Sequence, residues 1–128
     1  MHSLKPSRAE AKPPPHPESF DGHVMIHTLA PMSEQNDLEV LAVFFDDGAR
    51  TKPHVHPVDQ LLVVVEGRCI VATQTERIEI EAGQAATVQK GEWHWHGAVK
   101  HTHACHLSIK KPGATDWNQP LHNFYEER

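Results

Sequence analysis

Two histidines separated by one residue stand in the run Gly48-Ala49-Arg50-Thr51-Lys52-Pro53-His54-Val55-His56-Pro57-Val58-Asp59-Gln60. Side chains of an extended segment alternate faces, so His54 and His56 project together, and Gln60 can rejoin that face beyond the bend at Pro57. Two imidazole nitrogens and an amide oxygen on one face are the beginnings of a site for a divalent transition metal. A further donor lies far downstream in Gly91-Glu92-Trp93-His94-Trp95-His96-Gly97, where a glycine turn leads into a second His-x-His pair. His54, His56, Gln60 and His94 are therefore the candidate metal ligands. All four are neutral donors, which leave a bound ion its full charge and make it a stronger Lewis acid than a carboxylate ligand would. Gln60 cannot take up a proton as a glutamate can, so proton movement falls to another group.

The chain has twelve histidines, and they differ in promise. His2, His16 and His23 lie in or beside a proline-rich leader from Met1 to Phe20. His96 shares the face of His94 if that segment is extended, and either lines the cavity or sits exposed at its mouth. His101 and His103 fall in a polar turn and read as loop residues. His106 and Ser108 alternate with apolar Cys105, Leu107 and Ile109, a period that by itself puts them on the wet side of a strand. Trp93 and Trp95 alternate with the histidines and read as packing residues, although an aromatic wall for a substrate would look the same.

Bringing the two histidine segments together is a task for strands. His23 to Leu29 is a β-rich run, and Leu38 to Phe45 is a second, closed by Asp46-Asp47-Gly48. Leu61 to Gly67 is apolar on both faces, as a strand between two layers should be. Arg68 to Gln74 and Glu76 to Glu81 form a hairpin with one wet side, and Ala85 to Gln89 and Ala104 to Lys110 complete the set. Short strands at near-regular spacing indicate an all-β sandwich or barrel. Residues 1–22 read as a proline-rich arm, flexible or draped over an edge strand, and residues 23–128 as one domain. The tail from Pro112 to Arg128, with Trp117, Phe124 and Tyr125, is expected to cap one end of the barrel.

Composition narrows the function classes. Seventeen acidic against twelve basic residues give a formal charge of -5, with no basic block to track a phosphate backbone, so nucleic acid is not an expected partner. The longest apolar run, Leu61 to Val65, is too short to span a bilayer, and the N-terminal residues lack the apolar core of a secretory signal, so a cytoplasmic location without membrane contact is expected. Cys69 and Cys105 sit in apolar alternating segments and are expected as buried, reduced thiols.

These residues resemble the cupins. Gly48, His54, His56, Gln60 and Gly67 keep the intervals of the first cupin motif, with an amide where an acid is usual. Gly83, Gly91 and His94 keep those of the second, with Gln89 and Ala98 in place of its usual proline and asparagine. The resemblance implies an all-β cupin jelly-roll barrel with a metal inside. Within the cupins the chain is similar to small manganese-dependent members that include bacterial hydroxynitrile lyases, through Gly48-Ala49-Arg50-Thr51, His54-x-His56-Pro57-x-x-Gln60, His94-Trp95-His96-Gly97-Ala98, His106 and Asp116-Trp117. That likeness implies manganese (Mn2+) as the ion, although the donor set also suits Fe2+, Ni2+, Zn2+ or Co2+. It places His106 inside, near the metal, as the proton carrier, with His96 in reserve, and it implies a small-molecule substrate. Three classes of function stay open on one scaffold: a Lewis-acid lyase or isomerase, with cyanohydrin cleavage as the concrete case; a dioxygenase; and a binding module without turnover. A homodimer is expected, because a small jelly roll leaves apolar faces and edges to cover.

Overall fold

The computed structural model describes residues 1–33, 35, 37–118 and 125. Nine strands follow in order: β1 (Phe20–Asp21), β2 (Val24–Ala30), β3 (Glu39–Phe45), β4 (Arg50–Thr51), β5 (Gln60–Thr73), β6 (Arg77–Glu81), β7 (Ala85–Val88), β8 (His94–Ala98) and β9 (Ala104–Lys110). They pair in the order β1-β4-β8-β5-β9-β3-β2, with β6 and β7 also on β5. The result is an all-β, nearly closed antiparallel barrel.

The expected strands are present, and the departures have physical causes. The sequence divides the chain at Gly67, but β5 runs through it without a break. Before this glycine its neighbours are β7 and β9, and beyond it they are β6 and β8. The register slips between Val64 and Glu66, and Gly67 takes φ 74°, where a Cβ would collide with the His103 carbonyl. The glycine is thus a corner at which one strand changes partners. Leu62 and Val64 point inward, 0% and 1% exposed, and each contributes about 1.5–3 kcal/mol of burial. The outer side of β5 does not meet the two-layer expectation. Leu61 and Val63 are only half-buried and Val65 is 41% exposed, because the described residues do not fully cover that side of the wall.

Strand β9 reverses the usual reading of alternation. Its apolar Cys105 and Leu107 face outward and pack with Ala42, Phe44, Met25, Leu29 and the arm residue Ala11. His106, Ser108 and Lys110 take the other side and are also buried. Part of the N-terminal segment lies along an edge strand. Lys12 exchanges two main-chain hydrogen bonds of 2.8 Å with Ile26 on edge strand β2, and the Arg8 guanidinium lies 4.8 Å from the Phe44 ring centre. Cys69 and Cys105 are buried free thiols, each pushed up to about 12 by burial. Of the predicted capping residues in the tail, Trp117 and Tyr125 pack on the barrel, whereas Phe124 lies outside the described residues.

Candidate metal centre

His54 and His56 occupy the loop between β4 and β5, Gln60 opens β5, and His94 opens β8. The loop is brought to β8 by its own backbone, since His54 N–H donates to the His94 carbonyl at 2.9 Å and His94 N–H to the His54 carbonyl at 3.0 Å. The candidate ligand atoms of His54, His56 and His94 all lie within 4.8 Å of one another, and all three side chains are buried.

Hydrogen bonds at the far ring nitrogens orient the rings. His54 Nδ1 donates to the Lys52 carbonyl at 2.8 Å and His94 Nδ1 to the Glu92 carbonyl at 2.9 Å. A carbonyl accepts only, so both rings carry their proton on Nδ1 and keep a lone pair on Nε2. His56 Nδ1 meets the Thr115 hydroxyl at 3.0 Å, and its Nε2 is buried without a partner. The Gln60 amide is oriented in the same sense: Nε2–H donates to Ser108 Oγ at 2.8 Å, and Oε1 sits 3.1 Å from His94 Nε2. Burial above all keeps these rings neutral. It pushes His94 down to about 4, and with His94 and Lys110 nearby it pushes His56 to about 3; His54, fully enclosed and flanked by His94 and His56, lies well below its ordinary range. Converging lone pairs with an orphaned Nε2 are costly when nothing sits among them, and a divalent ion would supply the missing partner. The residues fit a metal.

Beside this cluster lies a cavity of about 100 Å³. His54, His56, Gln60, His96 and Ser108 line its polar side, and Phe20, Ile26, Leu41, Val43 and Trp117 its apolar side. His96 is held by its backbone N–H, which donates to Thr51 Oγ1 at 3.1 Å, and its Nδ1 lies 2.9 Å from His106 Nε2. The outer nitrogens, His96 Nε2 and His106 Nδ1, are buried without partners. Burial holds His96 well below its ordinary range and pushes His106 down to about 4.

The sequence-derived candidates meet here: His54, His56, Gln60 and His94 at one focus, His96 and His106 as a bonded pair next to it. His96 reaches the cavity wall and His106 stands behind it, an order opposite to the one the resemblance suggests. His106 faces inward although periodicity alone reads it as wet, because the apolar side of β9 serves the outer packing under the arm. His101, at φ 67°, and His103 lie on an exposed loop. Trp95 points outward against Arg50 and Tyr125, and the aromatic wall is built by Trp117, its ring centre 4.3 Å from that of His54 and tilted by 33°, with Phe20 6.1 Å from Trp117. Sequence reasoning gave no role to Thr51, Thr115 or the buried Glu39–Lys110 pair. Ser108 and Lys110 had one available signal, their place two and four residues beyond His106 on one face of β9.

Comparisons with known proteins agree with this architecture. The cupin domain family matches residues 41–110, more than half of the chain. The (R)-mandelonitrile lyase of Granulicella tundricola is 34% identical over 115 residues, covering 87% of this chain and 86% of that protein. A cupin-like protein from Thermotoga maritima superposes with a TM-score of 0.73 at 26% identity, over 84% of this chain and 85% of that one. A double-stranded β-helix protein from Klebsiella pneumoniae shares the fold, with a TM-score of 0.62 at 19% identity over 91% of each chain. A nearly closed antiparallel barrel with three histidines gathered inside, matched over most of its length by these relatives, establishes that the chain belongs to the cupin family.

Proposed function

We propose that this chain is a divalent-metal-dependent lyase of the hydroxynitrile lyase kind, splitting a cyanohydrin into a carbonyl compound and cyanide and joining them in reverse. The reading is carried by one observation: Nε2 of His54, His56 and His94 and Oε1 of Gln60 converge beside a small cavity whose wall also presents His96, with His106 bonded behind it. These four residues would hold the ion, with manganese favoured by the likeness to the manganese-dependent group. When bound, the ion supplies a Lewis acid for the substrate oxygen.

The rest is the work of the chain. His96 lies at the cavity wall with Nε2 free of protein partners, so it is the group placed to take the hydroxyl proton. His106 acts through it. The 2.9 Å contact orients the His96 ring and lets the pair share the charge that arrives with the proton. Ile26, Leu41, Val43, Phe20 and Trp117 exclude water and meet the hydrocarbon part of the substrate. The 34% identity to a mandelonitrile lyase supports the same chemistry.

The test is metal analysis together with turnover. Protein loaded with manganese is expected to hold about one ion per chain and to release cyanide from mandelonitrile or a smaller cyanohydrin, while His56→Ala and His94→Ala lose both ion and turnover. Full metal content in both variants would remove the site assignment, and an inert, fully loaded wild type would remove the lyase reading.

A further inference from the structure

Glu39 and Lys110 form a buried ion pair in the wall of the same cavity. They face each other across the β3–β9 ladder, their side chains are 8% and 4% exposed, and Lys110 Nζ lies 3.2 Å from Glu39 Oε1 and 3.4 Å from the Gly113 carbonyl. Lys110 is also the register partner of Gln60. Among the residues lining the cavity, Lys110 is the one cation and Glu39 the one anion. A buried ion pair adds little to stability, since desolvation consumes most of the attraction and an apolar pair of similar volume does as well. Its place in the wall of a reaction cavity therefore calls for a use.

Charge provides one. Lys110 lines the cavity together with His56 and is the register partner of Gln60, so its ammonium faces the same small space as those two candidate ligands. An ammonium has three N–H donors, of which the Glu39 carboxylate and the Gly113 carbonyl take two, so the third is the cavity's one cationic donor for an anion. Cyanohydrin cleavage creates such an anion. The bond to the nitrile carbon breaks, its electron pair leaves on that carbon, the hydroxyl proton passes to His96, and the carbonyl double bond forms from the electrons left on oxygen. The cyanide then takes that proton back from His96 and departs as hydrogen cyanide, which leaves the ring neutral again.

We propose that Lys110, tethered by Glu39, is a subsite for a small monoanion and receives the departing cyanide. The identity of the anion rests on the lyase reading above, whereas the subsite rests on the cavity alone. The tether gives the pair opposite mutational signatures. Glu39→Gln frees the ammonium and should tighten anion binding, while the double change Lys110→Met with Glu39→Gln removes both charges without stranding either and should weaken it.

The experiment titrates carbon-13-labelled cyanide into chelator-dialysed, metal-free protein, followed by carbon NMR at about pH 8, where the ammonium keeps its proton, with affinities referred to the ionised fraction of the cyanide. The expected result is saturable binding to the wild type, several-fold tighter in Glu39→Gln and about tenfold weaker or more in the double variant. Absence of saturable binding to the wild type, unchanged affinity in the double variant, or weaker binding in Glu39→Gln would each overturn the subsite. A purely structural pair would weaken binding in both variants, so the direction in Glu39→Gln decides even if the double variant folds poorly. The two readings separate cleanly. Cyanide held through Lys110 by a protein that cleaves no cyanohydrin keeps the subsite and discards the lyase, and cleavage with cyanide affinity equal in all variants does the reverse.

Discussion

Ser108→Ala probes how the proposed metal site is kept in order without touching one of its proposed ligands. Ser108 is buried, 4% exposed, and its Oγ accepts the Gln60 Nε2–H at 2.8 Å. That bond fixes which end of the amide faces His94. Removal of the hydroxyl has two outcomes. The amide N–H stays in place without an acceptor, at a cost of about 1–3 kcal/mol. Alternatively the amide turns over, which withdraws Oε1 from the ion and directs two N–H groups at it. Both lower metal affinity, by about 10- to 100-fold as for other residues that orient a ligand. In free energy that is about 1.4–2.7 kcal/mol. Competition of the manganese-loaded protein with a fluorescent chelator measures it, with Ser108→Thr as the variant that keeps an accepting hydroxyl and should stay within about threefold of the wild type. Wild-type affinity in Ser108→Ala would refute the claim that this serine orients Gln60.

Further expectations follow from the same geometry. In metal-free protein His56, His94 and His106 titrate at about 3, 4 and 4, below their unfolded value of 6.5, so the unfolded chain binds more protons and stability is lost as pH falls below about 6.5. At pH 5 each forfeits about 2 kcal/mol, and a melting temperature that stays level between pH 7 and pH 5 would contradict this. Gln60→Glu should retain the ion and hold it more firmly, yet slow cyanohydrin cleavage, because the added negative charge lowers the effective charge of the ion; equal or faster turnover counts against the polarisation argument. His106→Ala should keep fold and metal but cut turnover by roughly 10² to 10⁴, while His101→Ala changes little; a fully active or metal-free His106→Ala protein would end its role as partner of His96. The half-covered outer side of β5 is expected to be buried in a homodimer, and light scattering that finds a monomer at micromolar concentration would exclude it.

The gathering of His54, His56, Gln60 and His94 was legible because their spacing on extended segments already implies a common direction, and the long-range closure was legible through the resemblance of two motifs. The inward side of β9 was not legible from pattern. Alternation reports that a strand has two unlike faces, but not which of them meets the barrel interior, and here an arm from a distant part of the sequence covers the apolar one. The division at Gly67 erred for a related reason, since a glycine that ends one ladder and starts another has the same local signature as one that ends a strand. Trp117 over His54, Thr115 on His56, and Lys110 against Glu39 are contacts between segments far apart in sequence. Single polar residues at strand ends read as solvated until the topology buries them.

The partner change along β5 has a consequence for how the molecule opens. One strand holds β6, β7, β8 and β9, so neither half of the barrel can detach while β5 keeps its pairings, and among the described residues no part larger than the arm or the edge strands should unfold by itself. Its central amides should exchange with solvent only through global unfolding, and the barrel should melt as one unit. Gln60 begins that strand and His94 begins β8, its neighbour beyond Gly67. An ion held between them is thus tied to the fold's last structure to yield, and its binding energy should appear almost undiminished as resistance of the whole chain to denaturation.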